Sequence, residues 1–292
     1  RERLRQWKVI AKGDKRIVVG ARSAVFAPLP NLGLIIVDEE HEQSYKQDNQ
    51  PRYHGRDLAI VRAMQAGAQV IIGSATPALE SWRNQQTGKY RLQRLNTRPF
   101  DIRMPGVDIL DMRQEEQEEL LSQTLLEAID QRLRAKQQVI LFQNRRGYSS
   151  FLQCLKCGKP VHCPACDISM YYHRDTEELR CHYCGYSIPS PRKCPSCGAF
   201  SFSYGAPGTQ KLEQVLKLLF PSARILRLDS DSARRQDAHK GMYKGMKNRE
   251  LDILVGTQMI SKGLDFPGVT LVGIVLADIS LNVPDFRSAE RT

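Results

Sequence analysis

The sequence lacks any apolar stretch long enough to cross a membrane. Its longest apolar segments, Leu32–Val37 and Val269–Ala277, fall far short of the roughly 20 residues that span a bilayer. It also lacks low-complexity tracts, with 41% hydrophobic and 26% charged residues among 292. These absences exclude membrane-spanning, collagen-like and coiled-coil classes, and the length predicts two folded units, each with its own core.

Two further absences concern the ends of the chain and its nucleotide chemistry. The chain opens with Arg-Glu-Arg-Leu, without an initiator methionine or a signal-peptide pattern, so we expect a piece of a longer protein. No Gly-x-x-x-x-Gly-Lys-Ser/Thr phosphate-binding loop is present: Gly158-Lys159 is followed by Pro160, and Gly208 has the wrong spacing to Lys211.

The chain has fewer acidic than basic residues. The chain has 43 basic and 32 acidic residues and a formal net charge of +11. This excess favours polyanionic partners, with nucleic acid ahead of an anionic membrane surface. Composition alone leaves the choice open, because many basic proteins bind nothing charged.

Short apolar runs alternate with segments of helical periodicity. Such runs are typical of buried parallel strands, and the alternation predicts a doubly wound α/β fold. The predicted strands are Ile17–Val19, Leu34–Val37, Val70–Ile72, Val139–Phe142, Ile225–Leu228, Ile253–Val255 and Leu271–Leu276. The predicted helices carry apolar residues at Leu58, Val61 and Met64, at Leu121, Leu125, Ile129 and Leu133, and at Leu212, Val215, Leu216 and Leu219.

The apolar pattern is interrupted twice. It fades around Pro105-Gly106 and Gln114–Glu119, where we place a boundary between two α/β units. It stops again from Cys154 to Cys197 and resumes after Gly208. We therefore predict a first unit over residues 1–112, a linker helix and the first strand of a second unit over 113–150, a zinc insert over 151–204, and the remainder of the second unit over 205–292.

All eight cysteines lie in the zinc insert, as four Cys-x-x-Cys pairs. Each pair can give two thiolates to one tetrahedral zinc, so four pairs predict two structural sites of four cysteines each. A disulfide scaffold is the alternative, but nothing indicates secretion, and the adjoining Gly and Pro residues are typical of zinc knuckles. The predicted ligands are Cys154, Cys157, Cys163, Cys166, Cys181, Cys184, Cys194 and Cys197.

The pairs can be joined in three ways. Joining Cys163/Cys166 with Cys181/Cys184 encloses fourteen residues, close to the roughly 15–20 of a zinc ribbon. The pairs Cys154/Cys157 and Cys194/Cys197 then close over this inner site, and we predict this nested arrangement. The aromatic and basic residues around it suit base stacking and phosphate contact, or simply cover the metal core. The histidines are possible substitute ligands, but eight thiols already complete two sites, so we expect surface or stacking residues. The histidines are His162, His173 and His182, and the aromatic and basic residues are Tyr171, Tyr172, Tyr183, Tyr186, Arg174, Arg180, Arg192 and Lys193.

The strand Leu34–Val37 runs directly into an acidic turn, Asp38–His41. In an open α/β sheet the carboxyl ends of the strands face the ligand crevice. Asp38 could hold Mg²⁺ through its water shell, and Glu39 could polarise an attacking water. A strand followed by an acidic turn also occurs without such chemistry. The small-residue turn Gly73–Pro77, which follows the next apolar strand, favours the functional interpretation.

Taken together, the motifs resemble the PriA family, the bacterial replication-restart helicases also called primosomal protein N′. The resemblance spans essentially the whole chain, and a zinc insert between two helicase motifs is its most specific feature. The segments that carry it are Gly20–Phe26, Asp38–His41, Gly73–Pro77, Phe142–Tyr148, the four Cys-x-x-Cys pairs and Val255–Phe266.

The resemblance implies two RecA-like lobes, both incomplete in this chain, with the zinc insert in the second. It implies a DNA-stimulated ATPase that moves 3′→5′ on single strands, with Mg²⁺ and ATP as cofactors and two structural zinc ions. The implied partners are forked and single-stranded DNA, single-strand-binding protein and primosome proteins, and the implied location is cytoplasmic and nucleoid-associated.

The resemblance also assigns roles to individual residues. Asp38, Glu39, Glu40 and His41 become the catalytic motif, with Asp38 and Glu39 as the Mg²⁺ and water-activating pair. Nucleotide and DNA coupling falls to Gly73, Ser74, Ala75, Thr76, Gly256, Thr257, Gln258, Lys262, Gly263 and Asp265. DNA contact falls to Tyr45, Arg52, Tyr53 and His54, near Pro51 in an aromatic-rich loop, and to Arg145, Arg146 and Thr209.

Two catalytic parts of the family pattern are missing from the sequence. Family members carry the phosphate-binding loop upstream of the position of Arg1, and the motif VI arginines downstream of Thr292. We therefore expect the isolated chain to hydrolyse ATP poorly or not at all. Two alternatives stay open: a zinc-dependent DNA and protein docking module with a degenerate motor, and another superfamily 2 DNA translocase.

Overall fold

The computed structural model describes residues 2–98, 104–115, 117–118, 121–143, 151–173, 175–204, 208–229, 238–257, 260, 265–282, 285 and 287–291. By its internal contacts the chain divides into two compact units, Arg1–Arg103 and Met104–Thr292. Within the described ranges, no helix is both long and apolar enough to span a bilayer.

The first unit is built on two parallel strands that end at the same edge. Its elements are α1 (Glu2–Ala11), a 3-10 turn (Arg22–Phe26), β1 (Leu34–Val37), β2 (Lys46–Gln47), β3 (Tyr53–His54), α2 (Gly55–Ala66), β4 (Gln69–Ile72) and α3 (Leu79–Gln86). In β1 and β4, Leu34 lies opposite Gln69 and Val37 opposite Ile72. Strands β2 and β3 form an antiparallel hairpin directly before α2.

Two sequence predictions for this unit are wrong. Ile17–Val19 forms no strand, and its terminal side chains are 82% and 92% exposed, because no neighbouring strand pairs with it. Helix α2 forms as predicted and packs on β1 and β4, but Val61 and Met64 are exposed. Its buried residues are Gly55, Arg56, Ala59 and Ala63, so the apolar side chains that it buries are small ones, which let the helix lie close to the sheet.

The second unit contains a four-stranded parallel sheet in the order β13 (Ile225–Leu228), β14 (Ile253–Gly256), β7 (Gln138–Gln143) and β15 (Val269–Val275). Its elements outside the zinc insert are β5 (Gln117–Glu118), β6 (Leu121–Ser122), α4 (Gln123–Arg134), β7 (Gln138–Gln143), α5 (Thr209–Leu219), β13 (Ile225–Leu228), α6 (Ala238–Lys247), β14 (Ile253–Gly256), β15 (Val269–Val275), a 3-10 turn (Ala277–Asn282) and α7 (Ser288–Arg291). The predicted strands of this half are confirmed.

The core of the second unit forms where helices α4 and α5 cover the sheet. The fully buried Ile129 and Leu212, one from each helix, lie in one cluster with Leu141 and Ile253 from the central strands. The side chain of Ser122 caps α4 by accepting a 3.2 Å hydrogen bond from the backbone N–H of Leu125. The predicted apolar stripes of both helices therefore face the core.

The zinc insert lies between β7 and α5 in the chain. It contains β8 (Leu152–Cys154), β9 (Tyr171–His173), β10 (Glu178–Arg180), β11 (Ser187–Pro189) and β12 (Phe202–Tyr204). These strands form a β11-β10-β9 sheet and a β12-β8 pair, both antiparallel. Its apolar core is small, and Leu152, Met170 and Leu179 are its largest fully buried side chains.

Candidate functional site

The acidic turn and the small-residue turn lie side by side at the edge of the first sheet. The backbone N–H of Gly73 donates to the carbonyl of Val37 at 2.8 Å, and the N–H of Glu40 donates to the carbonyl of Gly73 at 3.0 Å. Parallel pairing of β1 and β4 brings the two turns together, because both strands end there.

Asp38 and Glu39 present their side chains at the surface of this edge. Both residues are exposed, and an Asp38 carboxylate oxygen accepts a 3.0 Å hydrogen bond from the N–H of Glu39. Glu39 has a left-handed backbone with φ of 48°, which costs a non-glycine residue about 1 kcal/mol. Exposed carboxylate oxygens suit a hydrated Mg²⁺, which keeps several of its waters.

His41 links the acidic turn to the small-residue turn. Its Nδ1 lies 2.6 Å from the Ser74 hydroxyl oxygen, which also accepts a 3.0 Å hydrogen bond from the N–H of Thr76. The same Nδ1 lies 3.6 Å from a Glu39 carboxylate oxygen. The His41 ring therefore lies between Glu39 and the Ser74–Thr76 turn.

Glu40 points away from Asp38 and Glu39, although the sequence groups the three carboxylates together. It is 2% exposed, and its carboxylate accepts hydrogen bonds from Arg56, Ser81 and the backbone of Ala78. Burial opposes the charge of Arg56, but hydrogen bonds to Glu40 and Asp57 outweigh it and raise the pKa of the guanidinium. Glu40 is thus an interior group, without access to a bound nucleotide in this arrangement.

The hairpin Lys46–His54 carries three of the seven residues predicted to contact DNA. Together with Gln47 and Asp48, residues Arg52, Tyr53 and His54 line an open cleft of about 560 Å³. Arg52 is exposed, and its Nε donates to the carbonyl of Asp48 at 3.2 Å. The structure brings these side chains onto one surface.

Tyr45 directly precedes the hairpin in the chain and contacts the acidic turn. Its hydroxyl donates a 2.6 Å hydrogen bond to the backbone carbonyl of Asp38. Burial, and then the charges of Asp38, Glu42 and Glu39, raise the pKa of the Tyr45 hydroxyl. The proton therefore stays on Tyr45, and the bond to Asp38 persists through the neutral pH range.

Arg22 is a residue of this site that the sequence analysis did not single out by itself. Its guanidinium donates to the carbonyls of Ser44 and Lys46 and to the side chain of Gln47. It also lies 5.6 Å from the ring centre of Tyr53. Arg22 thus holds the base of the hairpin. Its position in the Gly20–Phe26 motif was the signal that could have identified it.

Several predicted coupling and DNA residues belong to the second unit. Gly256 is buried at the end of β14, Thr257 follows it, and Asp265 is exposed. The predictions for Gln258, Lys262, Gly263, Arg145 and Arg146 fall outside the described residues.

Thr209 starts α5, but its side chain is fully buried. Its hydroxyl donates a 2.8 Å hydrogen bond to Asp229, which also contacts Arg227. The hydroxyl is therefore turned inward in this arrangement. The predicted DNA contact at this position would have to come from the backbone N–H groups of the helix terminus.

The eight cysteines form two separate groups of four, nested as the spacing predicts. One group is Cys154, Cys157, Cys194 and Cys197, and the other is Cys163, Cys166, Cys181 and Cys184; in each the sulfur atoms lie within 4.8 Å of one another. Sulfur–sulfur distances of 3.6 and 3.7 Å match the roughly 3.8 Å expected for thiolates around one tetrahedral zinc. Both groups therefore fit a structural zinc ion.

The thiols of the inner group differ in acidity. Backbone N–H donation from Cys184 is the main cause that lowers the pKa of Cys181 to about 7. A hydrogen bond to the Cys184 side chain is the main cause that raises the pKa of Cys166 to about 12. Zinc binds thiolates, so occupation of the group must release protons and is favoured as pH rises.

Each of the four Cys-x-x-Cys segments, called knuckles below, has the same type of backbone turn. The residue after each second cysteine donates its N–H to the carbonyl of the first, at 2.8 or 2.9 Å. That residue is left-handed in every knuckle, with φ between 53° and 77°. Three of the four are glycines, namely Gly158, Gly185 and Gly198, and the fourth is Asp167.

Substitutions at the left-handed residue of the turn should change the stability of a knuckle differently where that residue is glycine and where it is aspartate. A Cβ at Gly185 would meet no atom within 4 Å, so Gly185→Ala tests the backbone conformation alone and should destabilise the knuckle by about 1 kcal/mol. Asp167→Gly should be neutral or slightly stabilising, because glycine adopts the left-handed backbone of Asp167 without strain and the lost contact with His162 is exposed and weak. Zinc transfer to a chromogenic chelator should be faster for Gly185→Ala; equal rates for both variants would contradict the argument.

The insert histidines lie outside both cysteine groups. The rings of Tyr171 and His182 stack with centres 4.3 Å apart, and His173 Nε2 lies 3.0 Å from His182 Nε2. Tyr183 and Phe200 are 76% and 72% exposed. His182 therefore stacks on an aromatic ring, and the role expected of these histidines was a surface or stacking one in place of metal binding.

Comparison with known proteins gives matches along the whole chain. Residues 163–189 match the family described as PriA DNA helicase Cys-rich region (CRR) domain. The chain is 48% identical over 294 residues to the replication restart protein PriA of Bacillus subtilis (strain 168), covering 100% of this chain and 36% of that protein. The corresponding proteins of Synechocystis sp. and Chlamydia pneumoniae are 43% and 40% identical, with 99% of this chain and 36% and 40% of those proteins covered.

The chain thus spans well under half the length of these relatives. Among solved structures, a variant of Dbp5 from S. cerevisiae bound to RNA and ADP BeF3 aligns at a TM-score of 0.38 and 13% identity, covering 84% of this chain and 44% of that one. At this level the alignment adds nothing to the description of the fold.

The parallel sheets and the two nested groups of four cysteines define a class: an α/β protein with an inserted double zinc site, as predicted. The predicted resemblance to the PriA family is confirmed by the matches, and the chain corresponds to a segment of PriA replication restart proteins.

Proposed function

We propose that this chain forms part of an ATP-dependent DNA helicase that acts in replication restart. The observation that carries the proposal is the edge of the first unit, where exposed Asp38 and Glu39 lie beside the small-residue turn. The 2.6 Å contact between His41 and Ser74 joins the two. Similarity to replication restart proteins along the whole chain supports it.

Asp38 and Glu39 take different roles in the proposed reaction. Asp38 would hold a Mg²⁺ through its water shell, and the ion when bound would neutralise charge on the phosphates. Glu39 orients the attacking water and accepts its proton. His41 and Ser74 pass a change at this edge to Thr76, and the hairpin Lys46–His54 holds a single strand.

The finer parts of the proposal rest on the family resemblance. They are 3′→5′ movement, forked DNA as the substrate, and single-strand-binding protein and primosome proteins as partners. The net charge of +11 is compatible with a nucleic-acid partner.

Replacing Glu39 with glutamine in the full-length protein tests the proposal. The amide keeps the size of the side chain but cannot accept a proton, so DNA-stimulated ATP turnover should fall about 10²- to 10⁴-fold. ATP binding should be retained. Glu80→Gln, an exposed carboxylate change on α3, is the matched control and should leave turnover unchanged. Unchanged turnover in Glu39→Gln would rule the proposal out.

We further propose that the 292-residue chain alone turns over little ATP. Its sequence contains no phosphate-binding loop, which supplies much of the transition-state stabilisation in phosphoryl transfer. The measurement is single-strand-stimulated ATP hydrolysis by this chain with zinc and Mg²⁺. Robust turnover would mean that another segment binds the phosphates.

A second candidate function is a zinc-dependent docking module. The exposed rings of Tyr183 and Phe200 favour it, and the Lys193 amine lies 5.1 Å from the ring centre of Phe200. Chelating zinc should then abolish binding of DNA or protein while Glu39→Gln leaves it intact. A binding curve unaltered by chelation would count against this function.

A further inference from the structure

Arg56 connects the hairpin to the interior of the first unit. It lies in the first turn of α2, two residues after the hairpin ends at His54. Its side chain is only 10% exposed, and its Nη1 donates a 2.8 Å hydrogen bond to a Glu40 carboxylate oxygen. Its Nε donates to Asp57 at 2.9 Å. The guanidinium is therefore fixed between the two carboxylates and has no access to DNA.

Glu40 in turn holds both ends of the small-residue turn. Its backbone N–H donates to the carbonyl of Gly73 at 3.0 Å, at the start of the turn. Its carboxylate accepts 2.7 Å and 2.9 Å hydrogen bonds from the Ala78 N–H and the Ser81 hydroxyl, beyond the end of the turn. Because Glu40 follows Glu39 directly, the same side chain also anchors the acidic turn.

We propose that Arg56 is a positioning residue for the reaction: by neutralising buried Glu40, it fixes the turns that present Asp38–Glu39 and Ser74–Thr76. The inference rests on the proposed function of that edge. Without the guanidinium, Glu40 is a buried carboxylate that lacks its cation, a state costly enough to turn the side chain outward. Outward rotation of Glu40 displaces the adjoining Glu39 backbone and releases the Ala78 N–H.

A role in stability alone predicts a different result. If Arg56 only supported the fold, its loss would lower the thermal midpoint and leave turnover normal at temperatures where the protein stays folded. A positioning role lowers kcat under those same conditions, because the carboxylates are then misplaced in the folded protein.

The test uses full-length protein with Arg56→Met, Arg56→Lys and the control Arg62→Met. Arg62 lies on the same helix and donates to the carbonyls of Val25 and Ala27, so its loss also weakens α2 packing without touching Glu40. Assayed well below its midpoint, Arg56→Met should lose about 10- to 100-fold in kcat, with the KM for ATP little changed. Arg56→Lys, which keeps a cation, should recover part of the loss, and Arg62→Met should keep wild-type kcat.

Wild-type kcat in folded Arg56→Met would overturn the inference, as would an equal loss in Arg62→Met. If Arg56→Met does not fold, Arg56→Lys decides: reduced kcat at unchanged KM supports the inference, and wild-type kcat overturns it. The proposed function is judged separately by Glu39→Gln. Loss of turnover in Glu39→Gln with normal turnover in folded Arg56→Met refutes the positioning role alone.

Discussion

Replacing Cys181 with serine is expected to remove one of the two zinc ions and to unfold the part of the zinc insert between Cys163 and Cys184, while the outer group keeps its ion. Cys181 is fully buried in the inner group of four cysteines, and the apolar core around it is small. Apparent zinc binding free energies of about 10–16 kcal/mol in small zinc domains exceed what such a core can supply, so folding depends on the metal. Metal analysis should give half the wild-type zinc, and limited proteolysis should cut within residues 163–184.

Combining cysteine substitutions tests the nested pairing itself. Cys166 and Cys181 belong to one group, so the double variant with both changed to serine should still retain one zinc. If the first knuckle were paired with the second and the third with the fourth, Cys166 and Cys181 would belong to different sites, and the double variant would lose both ions. Changing Cys181 together with Cys194 should remove both. Ser196→Ala, inside a knuckle but outside the ligand set, is the control and should keep two.

Replacing Gly256 with alanine is expected to destabilise the second unit. A Cβ at this position would lie 2.6 Å from the backbone carbonyl oxygen of Leu228 and 2.8 Å from Ile260 Cδ1. The carbonyl belongs to the paired strand β13, so strands β13 and β14 would have to part or bend. Overpacking of this kind costs about 1–3 kcal/mol, which for a unit of this size lowers the thermal midpoint by roughly 3–10 °C.

Gly241 provides the matched control for that prediction. It lies in α6 of the same unit, and a Cβ there would meet no atom within 4 Å. Gly241→Ala should therefore stabilise by about 0.5–1 kcal/mol through helix propensity. Calorimetry on the folded chain compares the two. An unchanged midpoint for Gly256→Ala would mean that this glycine is dispensable for packing, so that only its predicted coupling role remained.

Local sequence patterns predicted the cysteine ligands of the zinc sites and most of the secondary structure. The Cys-x-x-Cys spacing identified all eight members of the two groups, because a knuckle is closed within a few residues by its own backbone turn. The strands of the second sheet were also found, since continuous apolar runs are what a strand buried on both faces requires. Where no partner strand follows, as at Ile17–Val19, the same pattern misled.

Helix periodicity located α2 but not its buried face. The stripe that contains Val61 and Met64 has the stronger apolar pattern, yet Ala59 and Ala63 face the sheet. The hydrophobicity of an apolar side chain rises with its size, whereas the close approach of a helix to a sheet favours small side chains. Which face is buried is therefore set by the distance between helix and strands, and a single sequence does not contain that distance.

By itself, the sequence determined the class of fold, the zinc ligands and the position of the acidic turn after β1. Only the tertiary structure decided which carboxylates of that turn are exposed and which one is buried. Asp38 and Glu39 face solvent, while Glu40 meets Arg56 and Ser81, which are 16 and 41 residues away in the chain. The spacing of residues in the sequence indicates which side chains are neighbours within one backbone turn. Contacts between residues this far apart depend on how the helices and strands pack in the folded chain.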